Sequence, residues 1–371
     1  MFIYLLLSLV AFSFSVICGF VFIPLILNFC KKHNLYDAPN ARKIHKTGIP
    51  RLGGVSFLPS MSIAIIISLT FLGYTNSGQK VEINLWAIYF GLTLAVIYAM
   101  GLIDDLIGLA AKHKFVVQVV TSCFLPMSYL YINNFYGFCG INEVPMYIGA
   151  PLTVFVLVFI MNAINLIDGI DGLAGSLSLL SLGGFFYCFA REGIWFYCIV
   201  IAGLMGVLVP YLYFNIFGKA ENNRKIFMGD SGSLTIGYIL GVLLVKFSMH
   251  NPNVMPFRKD SMLLAVTLLL IPTFDVVRVI IVRLRHHKPI FGADKNHIHH
   301  KLLRSGMTQH QALLTILGLA ALFFVVNIPL YGHLLTTVIV VIDILIFYIF
   351  HFIVNKKIIS NGRQPFEAAQ D

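Results

Sequence analysis

The chain has 371 residues, 58% of them hydrophobic and only 11% charged, with a mean hydropathy of +0.86. Soluble domains carry about one quarter charged residues, so this composition excludes an ordinary globular fold and points to a polytopic membrane protein. A net charge of +10 would suit a nucleic-acid partner in a soluble chain. In a membrane protein it reports topology instead, and no nucleic acid is expected.

The first apolar run, residues 2–29, has no basic residue before it and is too long for a cleaved signal peptide, so it reads as the first span. Further runs follow at about 53–73, 85–103, 115–133, 147–167, 173–190, 194–214, 231–249, 261–284, 312–331 and 333–354. Each is near the length of about 20 residues that a bilayer crossing takes as a helix. Backbone polar groups in lipid must be satisfied internally, and the alternation of a barrel strand is absent. The expected fold is therefore all-α and polytopic, with eleven transmembrane helices in one integral domain over 1–371. Its motif-bearing core runs from about 40 to 310, followed by C-terminal spans at 312–354 and a tail at 355–371. The six cysteines are scattered without metal spacing and read as small hydrophobes in helix packing.

Alternate connections differ sharply in charge. One set, which includes the tail, holds twenty Lys and Arg, whereas the other holds five: Lys80, Arg191, Lys246, Arg258 and Lys259. The positive-inside rule puts the rich set in the cytoplasm, the N-terminus outside and the C-terminus inside. GLIDD, NLIDGIDG, MGDSGS and DKNHIHH then all converge on the cytoplasmic face.

In chain order, the first of the polar segments is KIHKTGIPRLGG, with Lys43, Lys46 and Arg51; its Pro and Gly residues suggest a structured loop. In GLIDDLIGL, Asp104 and Asp105 diverge by about 100° on a helix. They form either a water-facing helix end or a Mg²⁺ or proton-transfer site. Lys112 and Lys114 follow at a junction, where a basic residue is ordinarily topological. In NAINLIDGIDGLAG, Asn162, Asn165, Asp168 and Asp171 recur every three residues. If the segment is helical they make one polar stripe, with Gly169 and Gly172 letting a ligand approach the backbone; the alternative is a polar hairpin turn. MGDSGS opens a span, where Asp230 is an N-cap, a metal ligand beside a phosphate site, or both. Asp275 and Arg278 sit at i, i+3 inside the ninth run, suited to mutual neutralisation or to catalysis, and Pro272 should bend that helix. DKNHIHH brings His297, His299 and His300 together among six Lys and Arg, which favours an anion-binding loop over zinc.

Carboxylates suited to Mg²⁺ and basic groups suited to phosphate, gathered on one membrane face, describe a metal-assisted phosphotransferase acting on a lipid. A transporter is the rival class, but its site would lie near the midplane, and no repeat is visible.

KTGIPRLGG, GLIDD, NAINLIDGIDGLAG, FMGDSGS and DKNHIHH, in this order and spacing, resemble the polyprenyl-phosphate N-acetylhexosamine-1-phosphate transferases (glycosyltransferase family 4). HIHH resembles the WecA and TagO branch, since Ile298 interrupts the three consecutive histidines of the muramoyl-pentapeptide branch. The resemblance implies an enzyme of the bacterial cytoplasmic (inner) membrane, with its active site on the cytoplasmic face. It would transfer N-acetylglucosamine-1-phosphate from UDP-GlcNAc to undecaprenyl phosphate and release UMP, initiating a surface glycan. Another UDP-N-acetylhexosamine or UDP-MurNAc-pentapeptide is the alternative donor. The implied cofactor is Mg²⁺, with Mn²⁺ as a substitute, and a homodimer is left open. Asp230 would ligate the metal, and Asp104 or Asp105 would stand by the lipid phosphate as base or metal partner. Asp168 and Asp171 would hold the nucleotide and support the metal. Phe227 would stack on uracil with Asn215 nearby, and Lys46, His297, His299 and His300 would meet the diphosphate or sugar. Lys114, Asn162, Asn165 and Asp275 complete the expected substrate-binding set, and Pro272 would shape a polyprenyl groove.

Overall fold

A computed structural model describes residues 1–36, 48–75, 85–289 and 295–366. Lys43, Lys46 and Asp294 lie outside these described residues. The chain begins with α1 (Phe2–His33), and a short 3₁₀ turn at Gly53–Ser56 leads into α2 (Phe57–Thr75). Next come α3 (Leu85–Ile107) and α4 (Ala111–Met127), then a two-stranded antiparallel hairpin of β1 (Asn134–Phe138) and β2 (Ile141–Glu143). The middle of the bundle is α5 (Met146–Ile167), α6 (Leu173–Arg191), α7 (Trp195–Leu212) with a π-turn at Tyr213–Phe217, and α8 (Gly229–Ser248). It closes with α9 (Ser261–Leu268), α10 (Leu270–Arg285), the short α11 (Ile298–Arg304), α12 (Gln309–Leu330) and α13 (Thr336–Ser360).

The protein is thus an all-α polytopic bundle, and each of the eleven expected runs is helical. Among the described residues, however, nine helices are long and apolar enough to cross a membrane, ten if the bent pair α9–α10 counts as one span. The run expected at 115–133 is α4, which stops at Met127 after 17 residues. At 1.5 Å per residue that is about 26 Å, short of a hydrocarbon core of about 30 Å. Helices α9 and α10 meet at 74°. Pro272 is the cause, since it has no N–H to give to the Leu268 carbonyl four residues back. The freed carbonyl instead accepts the Ser181 hydroxyl at 2.5 Å.

Helix α8 is the axis of the molecule. Every residue from Ser231 to Ser248 is buried, and α3 and α5 pack along it. Small residues allow the close approach: a Cβ on Gly237 would lie 2.7 Å from the Met161 Cα, and one on Gly54 would lie 2.0 Å from the Gly232 nitrogen. The β-hairpin covers the C-terminal end of α8, where Tyr136 donates to the Ser248 carbonyl at 2.9 Å. The opposite end of α8 is where the acidic motifs meet.

Candidate active site

At that end, α3 brings in Asp104 and Asp105, and their divergence around the helix gives them different partners. Asp104 Oδ1 accepts from the Leu109 N–H at 2.6 Å, while its Oδ2 meets Lys114 Nζ at 3.1 Å. Asp105 turns toward α8, where Oδ1 accepts the Asp230 N–H at 2.8 Å and Oδ2 the Ser231 N–H at 2.9 Å. It therefore caps the first turn of α8 from a neighbouring helix. Each of its oxygens thus accepts one backbone N–H. Arg51 secures the same corner by donating Nε and Nη2 to the Asp105 carbonyl at 3.2 and 3.1 Å. Gly229 opens α8 at φ +74°, and a Cβ there would lie 2.1 Å from the Arg51 carbonyl oxygen. Only glycine suits that turn.

Asp230 projects from this capped end with its carboxylate free of backbone duties. Lys114 Nζ donates to Oδ2 at 2.8 Å and Asn165 Nδ2 to Oδ1 at 3.0 Å; Asn165 also donates to Ser233 Oγ at 2.8 Å. One ammonium from the first turn of α4 thus bridges Asp104 on α3 and Asp230 on α8.

The segment 162–171 is not one stripe. Helix α5 ends at Ile167, with Asp168 at its C-cap and Gly172 in the left-handed region at φ +79° before α6. Asn162 spends its amide on Gln118 Oε1 and the Val158 carbonyl, both at 2.7 Å, so it is not brought to the site. Asp171 pairs with Lys225 at 2.6 Å. Asp168 has no cation partner among the described residues. Burial first, and then the charges of Asp230, Asp171 and Asp105, push its carboxyl up to about 7. Of the two acids of the hairpin, Asp168 is the one left open to a cation.

Asn215, expected to touch substrate, is a brace. In the π-turn its Oδ1 accepts the Gly172 N–H at 2.6 Å and its Nδ2 donates to the Ile226 carbonyl at 2.8 Å. Phe227, half-buried, is fixed through its backbone, donating to the Pro50 carbonyl at 2.8 Å and accepting from Gly53 at 2.9 Å. The structure adds Lys225 and Ser233 to the neighbourhood. The only sign of Lys225 in the sequence is its place two residues before FMGD, among basic residues that topology alone explains.

Asp275 is fully buried and receives three donors: Arg278 Nη2 at 2.8 Å, His297 Nδ1 at 2.8 Å and the Ile298 N–H at 2.9 Å. A carboxylate so enclosed does not face a ligand, which corrects its expected substrate contact. The ring of His297 lies parallel to that of His299 at 6.0 Å, and His299 packs against His300 at 4.2 Å. His299 is 1% exposed with neither ring nitrogen bonded, and a Cβ on Gly169 would fall 2.0 Å from its Nε2. Burial, with His300 alongside, holds its pKa well below the ordinary imidazole value.

Asp104, Asp168, Asp230 and Asn165 are hard oxygen donors, which suit Mg²⁺. No three His, Cys, Asp or Glu form a ready cage among the described residues, but Mg²⁺ needs only one or two carboxylates when phosphates and waters supply the rest. The donor set fits that ion.

Oxygen donors, a bridging lysine and a histidine loop at one end of an apolar helix bundle are the makings of an integral-membrane transferase. Residues 86–248 match the pattern of Glycosyl transferase family 4. The chain is 30% identical to the probable undecaprenyl-phosphate N-acetylglucosaminyl 1-phosphate transferase of Bacillus subtilis, over 91% of this chain and 89% of that protein. The undecaprenyl-phosphate α-N-acetylglucosaminyl 1-phosphate transferases of Yersinia pestis and Escherichia coli K12 are 28% and 27% identical, over 80% and 94% of this chain and 77% and 92% of theirs. The chain belongs to this family of transferases.

Proposed function

We propose that the protein transfers N-acetylglucosamine-1-phosphate from UDP-GlcNAc to undecaprenyl phosphate, giving undecaprenyl-diphospho-GlcNAc and UMP and so initiating a bacterial surface glycan. The observation that carries the reading is the meeting of Asp104 and Asp230 at Lys114, with Asp168 close enough to feel the charge of Asp230, at one end of the bundle, in a chain whose relatives bear that activity in their names. The excess of Lys and Arg on the connections at this end supports a cytoplasmic orientation in the inner membrane, where UDP-sugars are dissolved.

In the reaction an oxygen of the lipid phosphate attacks the sugar-bearing phosphorus of UDP-GlcNAc, and the bond to UMP breaks. The acceptor monoester is already largely ionised near pH 7, so no strong base is required. Asp230, Asp104 and Asp168 would hold Mg²⁺, which would supply charge neutralisation at the diphosphate. Asn165 orients the Asp230 carboxylate. Lys114 offers its ammonium to a phosphate, and the histidine loop receives the donor's phosphates or sugar. Phe227 offers a half-buried ring to the uracil. Positioning and electrostatics therefore carry the rate.

The test is purified protein with undecaprenyl phosphate, Mg²⁺ and a panel of labelled UDP-sugars, scored for UMP and lipid-linked sugar. UDP-GlcNAc should be turned over, and chelation or Asp230→Asn should abolish turnover. Full activity in Asp230→Asn refutes the metal assignment. Turnover of a different UDP-sugar alone refutes the choice of donor.

A further inference from the structure

Asp275 lies on the buried side of α10, and its carboxylate organises the loop that carries the histidines. Oδ1 accepts from Arg278 and from the first N–H of α11, and Oδ2 accepts from His297 Nδ1. Arg278 reaches on to the Asn296 carbonyl, so residues 296–298 are all tied to one i, i+3 pair on α10. An ionised carboxylate only accepts, so the His297 proton must sit on Nδ1. Among the described residues nothing bonds His297 Nε2, which is left for a ligand.

We propose that Asp275 is a positioning residue that acts through His297. It fixes the ring's tautomer and orientation, so that Nε2 is presented as a hydrogen-bond acceptor to a hydroxyl or amide N–H of the sugar nucleotide. The proposal rests on the transferase reading above. A carboxylate behind a histidine sets the tautomer and so which nitrogen faces outward unprotonated. Asparagine at 275 would break this logic without changing its shape. Its single oxygen would remain with Arg278 and the Ile298 N–H, and its NH₂ would face His297 Nδ1. That amide would force the other tautomer, turning Nε2 from an acceptor into a donor.

The experiment is a double-mutant cycle with Asp275→Asn, His297→Gln and the two together, measured as kcat/KM for UDP-GlcNAc and KM for undecaprenyl phosphate. Each single change should lower kcat/KM for the donor by about 10- to 100-fold, with KM for the lipid unchanged within about twofold. The double variant should be no worse than the poorer single one, because the two residues act as one unit. Multiplied losses in the double variant, or an equal loss toward the lipid, overturn the proposal and leave Asp275 a purely structural group. Asp275→Asn strands Arg278 in the interior. If it does not accumulate, the neutral pair Asp275→Asn/Arg278→Gln takes its place on that arm of the cycle. Absence of turnover in the wild-type protein would refute the transferase reading itself, which is a separate outcome from additivity.

Discussion

Adjacent aspartates that look interchangeable should separate cleanly when each is changed to asparagine. Asp105 accepts two backbone N–H groups at the start of α8, at 2.8 and 2.9 Å. Asparagine keeps one acceptor and turns an NH₂ toward the other donor, leaving a buried N–H without a partner at a cost of about 1–3 kcal/mol. Loss of a negative charge at a helix N-terminus adds about 0.5–1 kcal/mol. Together these give about 1.5–4 kcal/mol, or an apparent melting temperature lowered by roughly 2–5 °C in a chain of 371 residues. Asp104 is different. Asparagine there still accepts from the Leu109 N–H, and the lost ion pair to Lys114 is partly exposed and shared with Asp230. That change should cost within about 1 kcal/mol. Both variants should lose turnover, Asp104→Asn by removing a charge from the site and Asp105→Asn by releasing the turn that aims Asp230. Paired thermal melts and turnover assays in one detergent decide the matter. An Asp105→Asn protein that melts with the wild type, or an Asp104→Asn protein that falls as far, refutes the division of labour.

Lys225→Met should remove the ion pair to Asp171 at 2.6 Å, costing about 2–3 kcal/mol in thermal melts. The double variant Lys225→Met/Asp171→Asn should recover most of it, and a single variant no less stable than the double would count against the pair. The carboxyl of Asp168, raised to about 7, holds a proton in the folded protein that the unfolded chain has already lost. Without divalent cations, its contribution to stability is therefore full below the ordinary carboxylate range and is lost as pH rises to about 7. Melting in EDTA should show this decline in wild type minus Asp168→Asn, and a flat difference across the window would refute it.

The helix bundle was legible because length and apolarity are local properties of the chain. The shortness of α4 was less so: the run 115–133 stays apolar past Met127, but the chain turns there toward the hairpin. The periodic stripe from Asn162 to Asp171 misled for a related reason. A period of three says which face residues share only while the helix lasts, and α5 ends at Ile167. The gathering of acids and histidines at one end followed from charge asymmetry and motif order. Their individual tasks did not, since Asp105 as a cap, Asn215 as a brace and Lys225 as the partner of Asp171 all depend on residues far away in the chain. Asp275 and Arg278 sit at a spacing that announces an ion pair, but nothing near them in the sequence indicates that the pair reaches 22 residues onward to His297.

The burial of α8 bears on how the protein is made. Of the nine long apolar helices it is the least hydrophobic and the only one wholly enclosed. Glycines at 229, 232, 237 and 241 and the hydroxyls of Ser231, Ser233 and Thr235 give it little affinity for lipid on its own. Helices α3 and α5, which flank it, emerge from the ribosome earlier. Asp230 therefore enters the membrane on a segment that depends on a cradle its predecessors have already assembled, and errors in their insertion would surface as a displaced Asp230.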